Sequence, residues 1–197
     1  LWLNTFVVKL VCQKELILFG NSKMPIPVLM YHSISNDNNK ISVSVTNFKN
    51  QMRLMHSLGY KGYSLNKINL KTSKKKFVIT FDDGYENIFT EAMPVLKELN
   101  FSATCFIVCR KIGRFNDWEK NKDNFKKKRL KNVNQIKKWI KNGFEIGSHT
   151  MNHYNLKDLS NMQKRIQILK PKIFFKNKYG IILESFSYPF GSYNQDC

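Results

Sequence analysis

The sequence predicts an α/β fold with a largely parallel sheet, and three observations carry that prediction. Near-continuous apolar runs of strand length, residues 77–81 and 103–108 above all, show no polar alternation, as strands covered on both faces do not. These runs are interleaved with segments of helical period in the order strand, helix, strand, strand, helix, strand. The 197 residues, 42% of them hydrophobic, suffice for one sizeable core and are most economically one domain.

Residues 28–34, Val-Leu-Met-Tyr-His-Ser-Ile, read as a buried first strand between Pro27 and a polar run. Phe48, Met52, Met55 and Leu58 then recur at helical spacing, with Thr46 as candidate cap and Gly59 where a left-handed glycine closes a helix. Residues 60–65 and 77–81 are the second and third strands. Ile88, Ala92, Val95, Leu96 and Leu99 mark a helix that Pro94 must kink or start late. After the strand at 103–108, Val133, Ile136 and Ile140 predict a helix ended by Gly143, followed by a strand over 144–148. Met162, Ile166 and Leu169 predict a helix capped by Ser160 and interrupted at Pro171, and residues 185–188 a final strand. Residues 1–23 read as a leader, without a tidy signal peptide and without the 20 or so apolar residues a membrane span needs; 24–197 read as the domain.

A formal charge of +19 concentrates polyanions without specifying which. Much of it is local: residues 110–141 hold thirteen Lys or Arg against three Asp or Glu, either an anion-binding arm or a solvated loop and helix face. No aromatic-rich nucleic-acid module accompanies this stretch, so no specific nucleic acid is expected. Cys12, Cys105, Cys109 and Cys197 lack metal-site or disulfide-framework spacing and read as free thiols.

Chemistry concentrates at the strand ends. Residues 77–85, Phe-Val-Ile-Thr-Phe-Asp-Asp-Gly-Tyr, deliver two adjacent carboxylates to the mouth of a buried strand, where like charges need a cation, a shared proton or full solvation. Asp-Asp-Gly is also an ordinary polar turn. The second cluster, His149-Thr150-Met151-Asn152-His153, follows another apolar strand. If it makes a helical turn, its two imidazoles share a face, and Asp83 completes a three-residue metal site with positions open to water. The alternative is a pair of hydrogen-bonded core or surface histidines. Mixed nitrogen and oxygen ligation suits zinc, and cobalt, nickel or iron can occupy the same set.

Thr80-Phe81-Asp82-Asp83-Gly84, His149-Thr150-x-x-His153 and Tyr188-Pro189-Phe190-Gly191 resemble, in order and spacing, the first three motifs of the polysaccharide deacetylases, carbohydrate esterase family 4, the NodB-homology domain. Met30-Tyr31-His32-Ser33-Ile34 and Leu58-Gly59-Tyr60 resemble the branch acting on poly-N-acetylglucosamine-like polymers. The resemblance implies a distorted (β/α) barrel with its site at the C-terminal strand ends. It implies a divalent metal, zinc first, on Asp83, His149 and His153. Asp82 becomes the general base toward the attacking water, and the backbone N–H of Phe190 an oxyanion donor. His32, Tyr85 and Pro189 are expected to contact substrate, an N-acetylated amino-sugar polymer or oligomer of the cell envelope or exterior. The family's later motifs, with the general-acid histidine, would lie beyond Cys197, so a barrel lacking its C-terminal strands is expected. Where many members have an arginine orienting the base, this chain has Ser187, and the restraint on Asp82 must come from another group or be absent. A catalytically impaired carbohydrate-binding remnant and a basic nucleic-acid-binding protein are the alternatives.

Overall fold

The computed structural model describes residues 26–69, 75–118 and 125–195; the expected leader lies outside them. At the centre runs β5 (Lys76–Phe81), fully buried along its length. Strands β1 (Val28–Tyr31), β4 (Lys61–Tyr63) and β6 (Thr104–Ile107) pair with β5, and β7 (Glu145–Ser148) pairs with β6, every pairing parallel. A single parallel bridge, Ser148 with Phe186, is all that forms of the strand expected over 185–188. These five paired strands and the helices against them are part of the distorted (β/α) barrel that the motifs implied.

Large apolar side chains hold the layers together. Helix α1 (Val45–Ser57) buries Phe48 and Met52, with the Phe48 ring 5.2 Å from that of Tyr31 and 5.9 Å from that of Phe81. Helix α3 (Val133–Lys141) buries Ile136 and Trp139; the indole donates to the Glu145 carbonyl at 2.8 Å and its ring stands edge-on to Phe81. Each such buried side chain contributes about 1.5–3 kcal/mol. The bases of β6 and β7 are tied by Glu145, which accepts from Thr104 at 2.7 Å, Ser185 at 2.8 Å and the Asn66 N–H at 2.9 Å.

Several elements depart from expectation for identifiable reasons. The predicted first strand divides at His32, because Ser33–Ile34 (β2) turns away to pair with Ser42–Val43 (β3). Ser44, not Thr46, caps α1, its hydroxyl accepting the Asn47 N–H; Gly59 closes the helix at φ 79°. Pro94 is accommodated by a late start: a wide turn over Ile88–Ala92 precedes α2 (Met93–Glu98), putting the proline in the first α-turn, where its missing N–H is not needed.

Pro171 does not interrupt its helix. Helix α4 runs Asn161–Tyr179 behind a Ser160 capping box and buries Lys164, Gln167, Pro171 and Phe175. Of the positions expected to face the core, Met162 is 76% and Leu169 50% exposed. The face turned inward is the one that forms hydrogen bonds: the Gln167 carbonyl, which a Pro171 N–H would otherwise occupy, accepts the Met151 N–H at 3.1 Å, and the Gln167 Oε1 accepts that of Asn152 at 2.9 Å. Cys105 and Cys109 are buried free thiols, Cys109 lying in the turn after β6.

Candidate metal centre

Strands β5, β6 and β7 end at one mouth, and their connections hold the charged side chains there. Asp82 continues β5 by donating its N–H to the Tyr31 carbonyl, and His149 continues β7 by donating to that of Ile107. The chain then turns through conformations rare for residues with a Cβ: Asp83 at φ 68°, Thr150 at 65°, His153 at 64° and Phe190 at 60°. Backbone strain of about 1–3 kcal/mol per residue is typical of such positions and is held by surrounding bonds. Here Thr150 Oγ1 accepts the His153 N–H at 2.9 Å, and Gln167 holds the two residues between. The expected helical turn across His149 and His153 is absent; a loop with two left-handed residues brings the imidazoles together instead.

Their arrangement fits a divalent cation. Asp83 Oδ1 lies 3.3 Å from His149 Nε2 and 3.1 Å from His153 Nε2, and all three residues are buried. Ligands about 2.1 Å from a tetrahedral ion stand about 3.4 Å apart, close to this spacing. His149 Nδ1 donates to the Ser187 carbonyl at 2.9 Å, which leaves the Nε2 lone pair turned toward Asp83. Asp83 Oδ1 and His153 Nδ1 are buried without a hydrogen-bond partner. Oxygen and imidazole nitrogen lone pairs converging in this way match the donor set of a borderline ion.

The electrostatics follow from burial and proximity. Burial raises the Asp83 pKa, but the two imidazoles outweigh it and hold the carboxyl well below the usual range. Burial lowers the His149 pKa, and the Asp82 and Asp83 carboxylates reverse this to a net rise. Burial also lowers that of His153, and with His149 repelling a second positive charge the net direction stays down.

Around this centre the other expected residues fall in different places. Asp82 is 5% exposed; its Oδ2 accepts from the Ser187 hydroxyl at 3.1 Å, while Oδ1 has no hydrogen-bond partner. Ser187, at the position where many family members have an arginine, thus bonds Asp82 through its hydroxyl and His149 through its carbonyl. The Phe190 ring is 4.7 Å from that of His153. His32 is half-buried, near enough for its charge to bear on Asp83. Tyr85 and Pro189, expected to contact substrate, are buried: Tyr85 is 1% exposed, packed in the core and bonded through its hydroxyl to Asn116, so neither offers a face to a ligand. Trp118 stacks on His153, the ring centroids 4.4 Å apart.

Part of the basic run is internal. Lys128 Nζ donates to Ser33, Ser35 and Ser42 and pairs with Asp37 at 2.6 Å. Lys131 is 1% exposed and bonds the Tyr85 carbonyl and the Cys105 thiol.

Parallel strands that bring one carboxylate and two imidazoles to one mouth define an α/β protein of the (β/α) class whose Asp83, His149 and His153 form a cluster that could hold a metal ion, with a second carboxylate beside it. The chain belongs to the polysaccharide deacetylase family, whose sequence model matches residues 69–197. It is 32% identical over 177 residues to YxkH of Bacillus subtilis (strain 168), spanning 87% of this chain and 58% of that one. It is 27% identical over 179 residues to the poly-beta-1,6-N-acetyl-D-glucosamine N-deacetylase of Staphylococcus aureus (strain MRSA252), with 85% and 60% covered. The chain thus spans about three fifths of the length of these curated relatives. The solved structure of IcaB from Ammonifex degensii shares the fold, with a TM-score of 0.74 at 22% identity over 87% of this chain and 76% of that one.

Proposed function

We propose that this protein removes N-acetyl groups from an amino-sugar polysaccharide or oligosaccharide, with Asp83, His149 and His153 holding a divalent metal, zinc first. The observation that supports it most directly is the buried convergence of Asp83 Oδ1 with both Nε2 atoms beside a second carboxylate that has one oxygen unused. When bound, the cation supplies Lewis acidity toward the acetamide carbonyl. Asp83 stays ionised because the imidazoles beside it depress its pKa, so its negative charge persists at neutral pH. Asp82 Oδ1 is the acceptor for the proton of the attacking water, and the Ser187 hydroxyl on Oδ2 fixes the carboxylate plane. The Phe190 N–H serves the developing oxyanion from a turn held in the left-handed region. The C–N bond then breaks as the proton taken up by Asp82 passes to the leaving nitrogen, yielding acetate and a free amine on the sugar.

Zinc stoichiometry and acetate release test this together. Equilibrium dialysis is expected to give one zinc per chain in the wild type and none in His149→Ala or His153→Ala. Acetate released from N-acetylglucosamine oligomers is expected to stop with chelator and return with metal. Unchanged zinc binding in both variants, or no acetate from the metal-restored protein, overturns the proposal.

A further inference from the structure

Next to the metal-ligand loop lies a cleft of about 500 Å³ lined by Arg110, Lys111, Arg114, Asn152 and Tyr154. Two of these residues, Asn152 and Tyr154, flank His153 directly. The basic ones are held against the same loop, the Cys109 N–H donating to the Thr150 carbonyl at 3.1 Å and that of Arg110 to the Met151 carbonyl at 2.9 Å. Cleft and centre therefore share one wall.

The cleft is lined by three cationic side chains and no carboxylate. Lys111 pairs with Asp117 at 2.7 Å, but among the described residues no carboxylate pairs with Arg110 or Arg114. Two guanidiniums facing one space, with no carboxylate paired to them among the described residues, repel each other, and an oxyanion between them relieves that repulsion while meeting their planar forks. The space is within the range of pockets that enclose small-molecule groups, large enough for a substituted sugar unit. Resting on the deacetylase reading, a basic wall also disfavours the reaction's own product, whose new amine is cationic near neutral pH.

We infer that this cleft is a subsite for an oxyanion carried by the glycan substrate, a phosphate ester or a uronic acid carboxylate near the N-acetyl sugar. The substrate class is then an anionic N-acetylated glycan rather than a neutral homopolymer.

Calorimetric titration of the zinc-loaded protein with three oligosaccharides of equal length tests it: neutral N-acetylglucosamine oligomer, the same oligomer carrying one phosphate ester, and one with a glucuronic acid in place of a neighbouring sugar. One or both anionic oligomers are expected to bind about tenfold tighter than the neutral one, the scale of two exposed charge pairs, and which of them does so separates phosphate from carboxylate. Arg110→Gln/Arg114→Gln is expected to abolish that preference and leave neutral-oligomer affinity unchanged. Lys137→Gln/Lys138→Gln removes the same charge from exposed positions on α3 and is expected to preserve it. Equal affinities in the wild type, a preference that survives the arginine changes, or equal loss in both double variants overturns the subsite while leaving the deacetylase reading in place. Binding of inorganic phosphate or glucuronate that is lost with the arginines, without any binding or deacetylation of the oligomers, overturns the deacetylase reading and keeps the anion site. Failure of every anion to bind overturns the subsite.

Discussion

Replacing Ser187 with alanine removes one hydroxyl and leaves in place the carbonyl that orients His149. Asp82 is 5% exposed, its Oδ1 has no partner, and its Oδ2 accepts from Ser187 at 3.1 Å. In Ser187→Ala the buried carboxylate loses that bond, and a hydrogen bond to a charged group is worth about 1.5–3 kcal/mol. We expect the metal-free protein to lose about that much in urea denaturation at pH 8. Asp82→Ala removes a poorly satisfied buried charge and should cost under about 1 kcal/mol or stabilise the fold. With Asp82 already gone, Ser187→Ala should cost almost nothing, giving a coupling energy of about 1.5–3 kcal/mol. Additivity within about 0.5 kcal/mol would refute the reasoning, because residues that do not interact give no coupling. Zinc stoichiometry should be unchanged in Ser187→Ala, since His149 Nδ1 keeps its acceptor.

Asp83→Asn should lose zinc and activity together, whereas Asp82→Asn should keep zinc in dialysis and lose about 10²–10⁴-fold in acetate release; wild-type turnover in the latter removes Asp82 from the mechanism. Zinc affinity should fall on acidification, beginning above the ordinary histidine value of about 6.5 because His149 holds its proton above that value, and a flat profile between pH 8 and 6 would contradict this ligand set. Burial pushes the Asp37 pKa up, but the bonds from Lys128, Ser42 and Ser35 outweigh this and leave it at about 2, so its stabilising effect is complete above the unfolded value of 3.8 and lost as pH falls through about 2. With the side chain 30% exposed, Asp37→Asn should cost about 1 kcal/mol at pH 7 and nothing at pH 1.5, read from urea midpoints.

The parts of this architecture legible in the sequence are those set by neighbouring residues. A buried strand ending in Asp82-Asp83-Gly84, and a second ending in His149, follow from apolar runs and where they stop. What the sequence concealed depends on partners far along the chain. The apolar period through Met162 and Leu169 pointed to the wrong face of α4, because the loop's hydrogen bonds to Gln167 outweighed the burial those side chains offered. Tyr85, expected to contact substrate, lies instead in the core, its backbone bridged to Leu130 far along the chain. Trp118 on His153 joins residues 35 positions apart, a pairing no local pattern encodes.

Pro171 makes helix α4 incomplete by itself. Its backbone ladder lacks one donor, and the donor that fills the position belongs to Met151, midway between the two histidines. Helix and loop are therefore one cooperative unit: the loop cannot rearrange without exposing a buried carbonyl in the helix, a loss of about 1–3 kcal/mol. Alanine at this position would give α4 its own amide for the same oxygen and set the two donors in competition. A more regular helix would then come with a slacker histidine loop, a trade of local regularity for a rigid pair of imidazoles.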